Sequence, residues 1–359
     1  MNSPRTVYVN ITSRCNLKCK YCSHFFSPSD TKKDLPLSNW LEFFSKLGRE
    51  NVMNIVISGG EPFLREDIKE MLKEIIKNRM RFSILTNGTI FSKELFEFIS
   101  NCKRCDYIQV SVDGHRPEVH DSMRGEGSFE KTINTIKVLK KYNIPIAIRV
   151  TIHPENVYYI KEIAKFLLED LKLKSFSTNS INYIGLGKKN YKELQLNIEE
   201  YSFVLKAFLE LNKIYKNKIT AKSGPLALLA FWSLIKNVKK DKLNIKGGYL
   251  LGCNAVFSSL AVRSDGVIVP CNLLSHIELG NIEDDLQKIW KENSKLNELR
   301  NRRNIKLTCF EYCRDCIYIN YCTGGCPALS YANFYNINKP DTRNCLRYLL
   351  EQGLNLDAN

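Results

Sequence analysis

The stretch Cys15-Asn-Leu-Lys-Cys19-Lys-Tyr-Cys22 follows directly on an alternating apolar run, Val7-Tyr8-Val9-Asn10-Ile11. The run has the period of a strand, and the cysteines fall on the loop beyond it. Three thiols within eight residues can hold three corners of one iron-sulfur cube and leave its fourth iron without a protein ligand. An iron left open is a reaction site. Close cysteines can equally form half of a zinc site, which needs a fourth ligand nearby; His24 is the only candidate of that kind.

Composition narrows the setting. A chain of 359 residues with 44% apolar content is globular, with room for one large domain or two ordinary ones. Met1 to Arg5 is too short and polar for a signal peptide, and no run of about 18 apolar residues could span a bilayer. A cytoplasmic protein is expected. Its thirteen cysteines cluster with metal-ligand spacing and no export signal, which favours reduced thiolates over disulfides. The formal charge of +15 is spread along the chain. Its short runs, Lys236 to Lys242 and Arg300 to Lys306, carry no interleaved aromatic residues, so they read as solvated helix faces and not as a nucleic-acid surface. Arg14, Lys18 and Lys20 stand beside the first cysteines, where positive charge would offset an anionic cluster.

From Thr6 to about Ile184 short β-branched runs alternate with amphipathic stretches. Strands are expected at Val7 to Ile11, Met53 to Ser58, Phe82 to Thr86, Tyr107 to Val112, Pro145 to Ile152 and Ser175 to Tyr183. Helices are expected from Ser38 to Gly48, Glu66 to Arg79, Ser92 to Ser100, Ser128 to Tyr142 and Pro154 to Leu168. Six such units make an open, partial (β/α)6 barrel over residues 1–190. Residues 191–247 read as a helical bridge without convincing strands, and residues 248–359 as a cysteine-rich domain organised around metal. Ligands of parallel β/α folds bind beyond the carboxyl ends of the strands, so the turns there matter most. The second strand ends in Ser58-Gly59-Gly60-Glu61-Pro62, the third in Thr86-Asn87-Gly88 and the fourth in Ser111-Val112-Asp113-Gly114; His120-Asp121-x-x-Arg124 follows. The two glycines permit close backbone approach and would leave backbone groups free for a ligand. Cys102 and Cys105 lie away from the strand carboxyl ends and read as packed or surface thiols.

The cysteine spacing with these turns, over roughly residues 6–184, resembles radical S-adenosylmethionine (radical SAM) enzymes. The resemblance implies that Cys15, Cys19 and Cys22 hold a 4Fe-4S cluster whose open iron is chelated by SAM, which is cleaved to a 5′-deoxyadenosyl radical. It implies a SAM site at Gly59, Gly60 and Glu61 for the amino group, with Thr86, Asn87, Ser111 and Asp113 toward the ribose and methionine. Arg124 would pair with the carboxylate and Tyr21 would lie against adenine.

In the last third, Cys253-x12-Gly266-x4-Cys271 is followed by Cys313-x2-Cys316-x5-Cys322-x3-Cys326 and by Cys345. The segment Ser264 to Cys271 reads as a hairpin whose second strand delivers a cysteine. Over about residues 250–346 the series resembles the SPASM domain, which binds auxiliary clusters in radical SAM enzymes that modify peptides and proteins. The resemblance implies Cys313, Cys316, Cys322 and Cys345 around a distal 4Fe-4S cluster, and Cys253, Cys271 and Cys326 around one nearer the barrel, three clusters in all. Cys309 is read as a spare thiol. A zinc ribbon over Cys313 to Cys326 would leave Cys253, Cys271 and Cys345 unexplained.

The resemblance therefore implies a maturase of a ribosomally made peptide that forms a thioether or carbon-carbon link, supplied with electrons by a flavodoxin or ferredoxin. A sulfatase-maturing, formylglycine-forming enzyme is the nearest rival. Such enzymes resemble one another in an acidic base directly after the Pro-Cys of the hairpin, where this chain has Asn272, which takes up no proton at neutral pH. A small-molecule radical SAM dehydrogenase and a non-enzymatic iron-sulfur electron carrier are the other readings. With the barrel starting near residue 6, leader recognition is expected to fall to a separate protein or to the basic bridge around Lys213 to Lys242.

Overall fold

The computed structural model describes residues 2–24, 33–221, 223–237, 247–251, 253, 255–343 and 345–356. The basic run Lys236 to Lys242 lies outside these residues from 238 onward. Six parallel strands stand where the sequence places them: β1 (Thr6–Asn10), β2 (Asn54–Ser58), β3 (Arg81–Thr86), β4 (Cys105–Ser111), β5 (Ile146–Ile152) and β6 (Phe176–Ser180). Each pairs with the next in chain order.

Their period-two pattern separates two faces. Val7, Val9, Ile55, Ile57, Phe82, Ile84, Ile108 and Val110 are buried beneath α1 (Leu37–Arg49), α2 (Ile68–Lys77), α3 (Lys93–Cys102), α4 (Pro117–Arg124) and α5 (Ser128–Lys141). α1 contributes Trp40, Phe43, Phe44 and Leu47 to that layer, and α2 contributes Ile68, Met71, Leu72 and Ile75. The register puts Tyr8, Ser58, Ser111, Thr151 and Asn179 on the opposite, concave face.

The sheet departs from six strands at both ends. The expected helical bridge does contain the long helix Ile198–Tyr215, but a strand follows it: β7 (Ile219–Ala221), parallel to β6. Three residues are too few for a periodic signal. On the other edge, β8 (Ser259–Val262) of the cysteine-rich third pairs parallel with β1. It continues as the expected hairpin into β9 (Val267–Val269) and then β10 (Gly280–Asn281). Barrel and cysteine-rich region therefore share one ten-stranded sheet, β10-β9-β8-β1-β2-β3-β4-β5-β6-β7.

Two helices also differ from expectation. Pro154 to Leu168 is not continuous: Pro154–Val157 is followed by Ile160–Lys165 and a π turn, Phe166–Asp170. The Asn156 amide there donates to the carbonyls of Asp113 and Thr151, a local alternative to a regular helix start. The His120 to Arg124 motif lies on α4, opened by Pro117 at its first turn. Asp121 accepts bonds from the Gly127 and Phe129 N–H groups and the Ser128 hydroxyl, all at 2.8 Å, and so caps α5. No described helix is long and apolar enough to cross a membrane.

Candidate functional site

The loop after β1 is pinned before it reaches Cys15. The Gly60 N–H donates to the Thr12 carbonyl and the Glu61 N–H to that of Arg14, both at 2.8 Å. A Cβ on Gly60 would lie 2.1 Å from the Arg14 carbonyl oxygen, and one on Gly59 2.4 Å from that of Thr12, where Gly59 also has φ +150. Only glycine allows this approach. The turn's N–H groups, expected to face a ligand, are thus spent on seating the cysteine loop. Further along, the Lys20 N–H donates to the Met123 carbonyl, and the Cys22 carbonyl accepts from Leu186.

Cys15, Cys19 and Cys22, all half-buried, line a cavity of about 230 Å³ at the strand carboxyl ends. The same wall holds Tyr21, Gly59, Gly60, Thr86, Asn87, Ser111 and Arg124. Ser58, from the turn after β2, lines it too, as do Thr151, Asn179 and Asn182, which carried no motif to mark them. The Asn87 amide contacts Cys15 Sγ at 3.9 Å and Asn16 Oδ1 at 3.0 Å. Burial pushes the Cys19 thiol up to about 12, opposed chiefly by the Arg124 charge. Such thiols lose their protons to a metal more readily than to water, because metal binding and deprotonation are linked.

Two carboxylates stand behind this wall and not in it. Glu61 is fully buried and accepts from the Thr86 hydroxyl (2.8 Å), the Asn87 N–H (2.8 Å) and the Phe63 N–H (3.2 Å), locking the end of β2 to the turn after β3. Burial pushes it up to about 7 against those bonds. Asp113, also fully buried, accepts from Arg124 Nε at 2.6 Å, from the Thr151 N–H at 2.8 Å and from the Tyr21 hydroxyl. Burial would raise its pKa, but Arg124, His153, His120 and the Tyr21 hydroxyl together hold it below the ordinary carboxyl value.

Arg124, Tyr21 and Arg14 each have partners within the protein. Arg124 is 6% exposed and its Nε is committed to Asp113, so it is an internal ion-pair partner before it is a carboxylate clamp. Tyr21 lies between the Arg124 guanidinium, 5.5 Å from its ring, and His153, 6.1 Å between centroids. Arg14 pairs with Asp34 at 2.8 Å, which leaves Arg124 as the cation acting on Cys19. Cys102 and Cys105 behave as packed thiols: Cys102 donates to the Ile99 carbonyl and Cys105 is buried at the start of β4.

In the last third the thiols fall into two groups. Cys271 is pushed up to about 12 by burial and by repulsion from Cys326 and Cys253. Cys313 is pushed up to about 11 by burial and by Cys322, Cys345 and Cys316. Cys309 is exposed, and the leading repulsions in neither group involve it. Local N–H groups favour the thiolate forms: those of Ala328 and Leu329 at Cys326, Arg347 and Tyr348 at Cys345, Leu273 and Leu274 at Cys271. No three His, Cys, Asp or Glu side chains among the described residues converge on a single ion.

A larger cavity, about 780 Å³, lies between the concave barrel face and the cysteine-rich region. Ser23 and His24 line both cavities, so the two adjoin. Asn272 faces the larger one, with its Oδ1 accepting from Asn10 Nδ2 at 3.2 Å. Asp265, a carboxylate of this wall, is ion-paired to Arg263. Tyr331 stacks on His276 at 4.0 Å between centroids, and Tyr183 and Tyr335 each lie 5.2 Å from the Lys188 amine.

Residues 9–167 match the radical SAM superfamily and residues 253–317 the SPASM iron-sulfur cluster-binding domain. The chain is 27% identical to the AdoMet-dependent heme synthase of Methanosarcina barkeri, over 92% of this chain and 93% of that one. It is also 27% identical to the subtilosin biosynthesis protein AlbA of Bacillus subtilis, over 93% of this chain and 68% of that one. The crystal structure of Streptococcus suis SuiB bound to the precursor peptide SuiA superposes with a TM-score of 0.75 at 17% identity, covering 96% of this chain and 76% of that one.

Two outcomes follow from the geometry. Gly60→Ala should displace the cysteine loop and leave anaerobically reconstituted protein about four irons short of wild type, since each cube holds four; an unchanged iron assay would refute the seating role. Asp113→Asn strands the buried Arg124 and should cost about 3–5 kcal/mol in urea unfolding of the metal-free protein. Because the folded Asp113 pKa is depressed, that stability is present above the ordinary carboxyl value and is lost as pH falls through the folded one. The difference between variant and wild type should therefore shrink in acid.

Proposed function

The chain belongs to the radical SAM superfamily and carries a SPASM domain, and from that premise we propose that it modifies a ribosomally made peptide by joining two of its residues through a thioether or carbon-carbon bond. Cys15, Cys19 and Cys22 would hold the SAM-binding 4Fe-4S cluster, Cys253, Cys271 and Cys326 a near auxiliary cluster, and Cys313, Cys316, Cys322 and Cys345 a distal one. When bound, the first cluster and SAM supply a 5′-deoxyadenosyl radical that removes a hydrogen atom from the substrate.

The observation that carries the reading is the pair of adjoining cavities. The smaller contains the three thiols and the strand-end polar groups. The larger is walled on its far side by residues next to Cys271 and Cys326, namely Asn272, Leu273 and Ala328. A peptide segment lying there would stand between the radical source and the near auxiliary site. Ser111, Thr151 and Asn179 would present hydroxyl and amide groups to SAM, while Asp113 holds Thr151 from behind and Glu61 locks the end of β2 to the turn after β3. Asn272 supplies an amide where a sulfatase-maturing enzyme would present a base, and Asp265 is neutralised by Arg263. Both features weigh against formylglycine formation. The name of the curated relative AlbA, a bacteriocin biosynthesis protein, supports a peptide substrate. A flavodoxin or ferredoxin would be the reductant, and a separate protein could present the leader.

A tetrapyrrole substrate is the second reading, favoured by the heme synthase relative. The tyrosines of the large cavity, with Lys188, could take a flat, carboxylated ring. Adding hemin to the reconstituted protein and following its visible absorption separates the two: a saturable shift lost in Tyr331→Ala supports this second reading.

The peptide reading predicts that the reconstituted protein, given SAM, dithionite and its ribosomal precursor peptide, forms 5′-deoxyadenosine and lightens the peptide by two hydrogens per link. Cys22→Ala should abolish both products. Abundant 5′-deoxyadenosine with an unchanged peptide mass would count against crosslinking.

A further inference from the structure

Arg302 is a buried cation without an evident partner. It is 2% exposed, and among the described residues its Nε makes no hydrogen bond and its terminal nitrogen reaches only the Lys339 carbonyl at 3.5 Å. Arg300, two residues away, is by contrast satisfied by the carbonyls of Val256 and Trp290. A guanidinium so enclosed is strongly unfavourable unless something negative faces it.

The backbone shows what lies around it. Past Arg302 the chain runs beside the segment that leads to Cys253: Leu250 donates to the Ile305 carbonyl at 3.0 Å, and Leu307 to that of Gly248 at 2.8 Å. On the other flank, the Lys339 carbonyl that Arg302 touches also accepts from the Ser330 hydroxyl at 2.6 Å. Ser330 lies in the helix Pro327–Phe334, whose N-cap is Cys326. Arg302 is thus placed between the supports of two near-group cysteines, where burial disfavours its charge and thiolates at Cys326 and Cys253 would favour it. Asp341, buried near Cys326, accepts from the Arg343 N–H and adds a further negative charge to this region.

We propose that Arg302 is the charge partner of the near auxiliary cluster, its guanidinium facing the sulfur atoms held by Cys253, Cys271 and Cys326 and raising that cluster's reduction potential. The inference rests on those three cysteines being cluster ligands. Reduction adds one negative charge to the cluster, and a fixed cation in a low-dielectric surround stabilises the reduced form more than the oxidised form. Arg302 is a positioning residue in this account, since it touches the cofactor's environment and not the substrate.

The test is a redox titration of the anaerobically reconstituted full-length protein, followed by electron paramagnetic resonance. The near-cluster signal is identified by its loss in Cys271→Ala. Wild-type protein with no signal sensitive to Cys271→Ala would overturn the ligand reading itself, before Arg302 is considered. Arg302→Leu should retain its iron, yet at the poise that half-reduces the wild-type near cluster its reduced-to-oxidised ratio should fall about tenfold, a change read directly from the potential. Arg302→Lys, which keeps the charge, should stay close to wild type. Should Arg302→Leu lose the near cluster while Arg302→Lys keeps it, the charge is needed for assembly and the proposal stands. Unchanged potentials in both variants at full iron content, or loss of the cluster from both, would overturn it.

Discussion

The buried carboxylate of Asp113 is the constraint on which the site depends. It binds the hydroxyl of Tyr21 from the cysteine loop, the guanidinium of Arg124 from α4 and the Thr151 N–H from β5, while its own N–H and carbonyl are tied to His120 and Asn156. A single charge thereby ties the cysteine loop to elements separate in sequence. An ionised carboxylate can be buried only when several donors surround it, so these elements must arrive together or the charge is stranded. Glu61 does the same for the ends of β2 and β3 with neutral donors. The two carboxylates behind the cavity wall are spent on protein donors, which leaves thiols, hydroxyls and amides among the groups that line the cavity.

The second constraint is the pairing of β8 with β1. It makes the cysteine-rich region an extension of the barrel sheet, and so places Asn272, Leu273 and Ala328 opposite the concave face. The larger cavity exists because of that seam. In the proposed reading, a substrate held there would have the cavity of Cys15, Cys19 and Cys22 on one side and residues next to Cys271 and Cys326 on the other. Asn272, spent on a hydrogen bond with Asn10, closes off the proton chemistry that an acid at this point would provide.

Much of this was legible in the sequence, for identifiable reasons. The six barrel strands announce themselves because short β-branched apolar runs recur between amphipathic helical stretches. The cysteines announce themselves because ligand spacing is local. What escaped depends on distant partners. β7 is too short to show a period, and nothing local says that Ser259 to Val262 will dock on β1. Arg14 and Arg124 carry charges that were legible, but their pairing with Asp34 and Asp113 is decided by folding. Thr151 and Asn179 reach the cavity through strand register, which no motif records. Arg302 sits within a basic run that reads as a solvated face, yet it is enclosed, because the segment around it packs between the supports of Cys253 and Cys326.

The central claim is that Cys15, Cys19 and Cys22 hold a cluster with one iron open to SAM. Its most direct measurement is the electron paramagnetic resonance spectrum of the dithionite-reduced protein with and without SAM. The account predicts that SAM changes the signal of one cluster, the one missing in Cys19→Ala, and leaves the auxiliary signals as they were. A reduced spectrum indifferent to SAM would contradict it and point to a protein whose clusters only carry electrons.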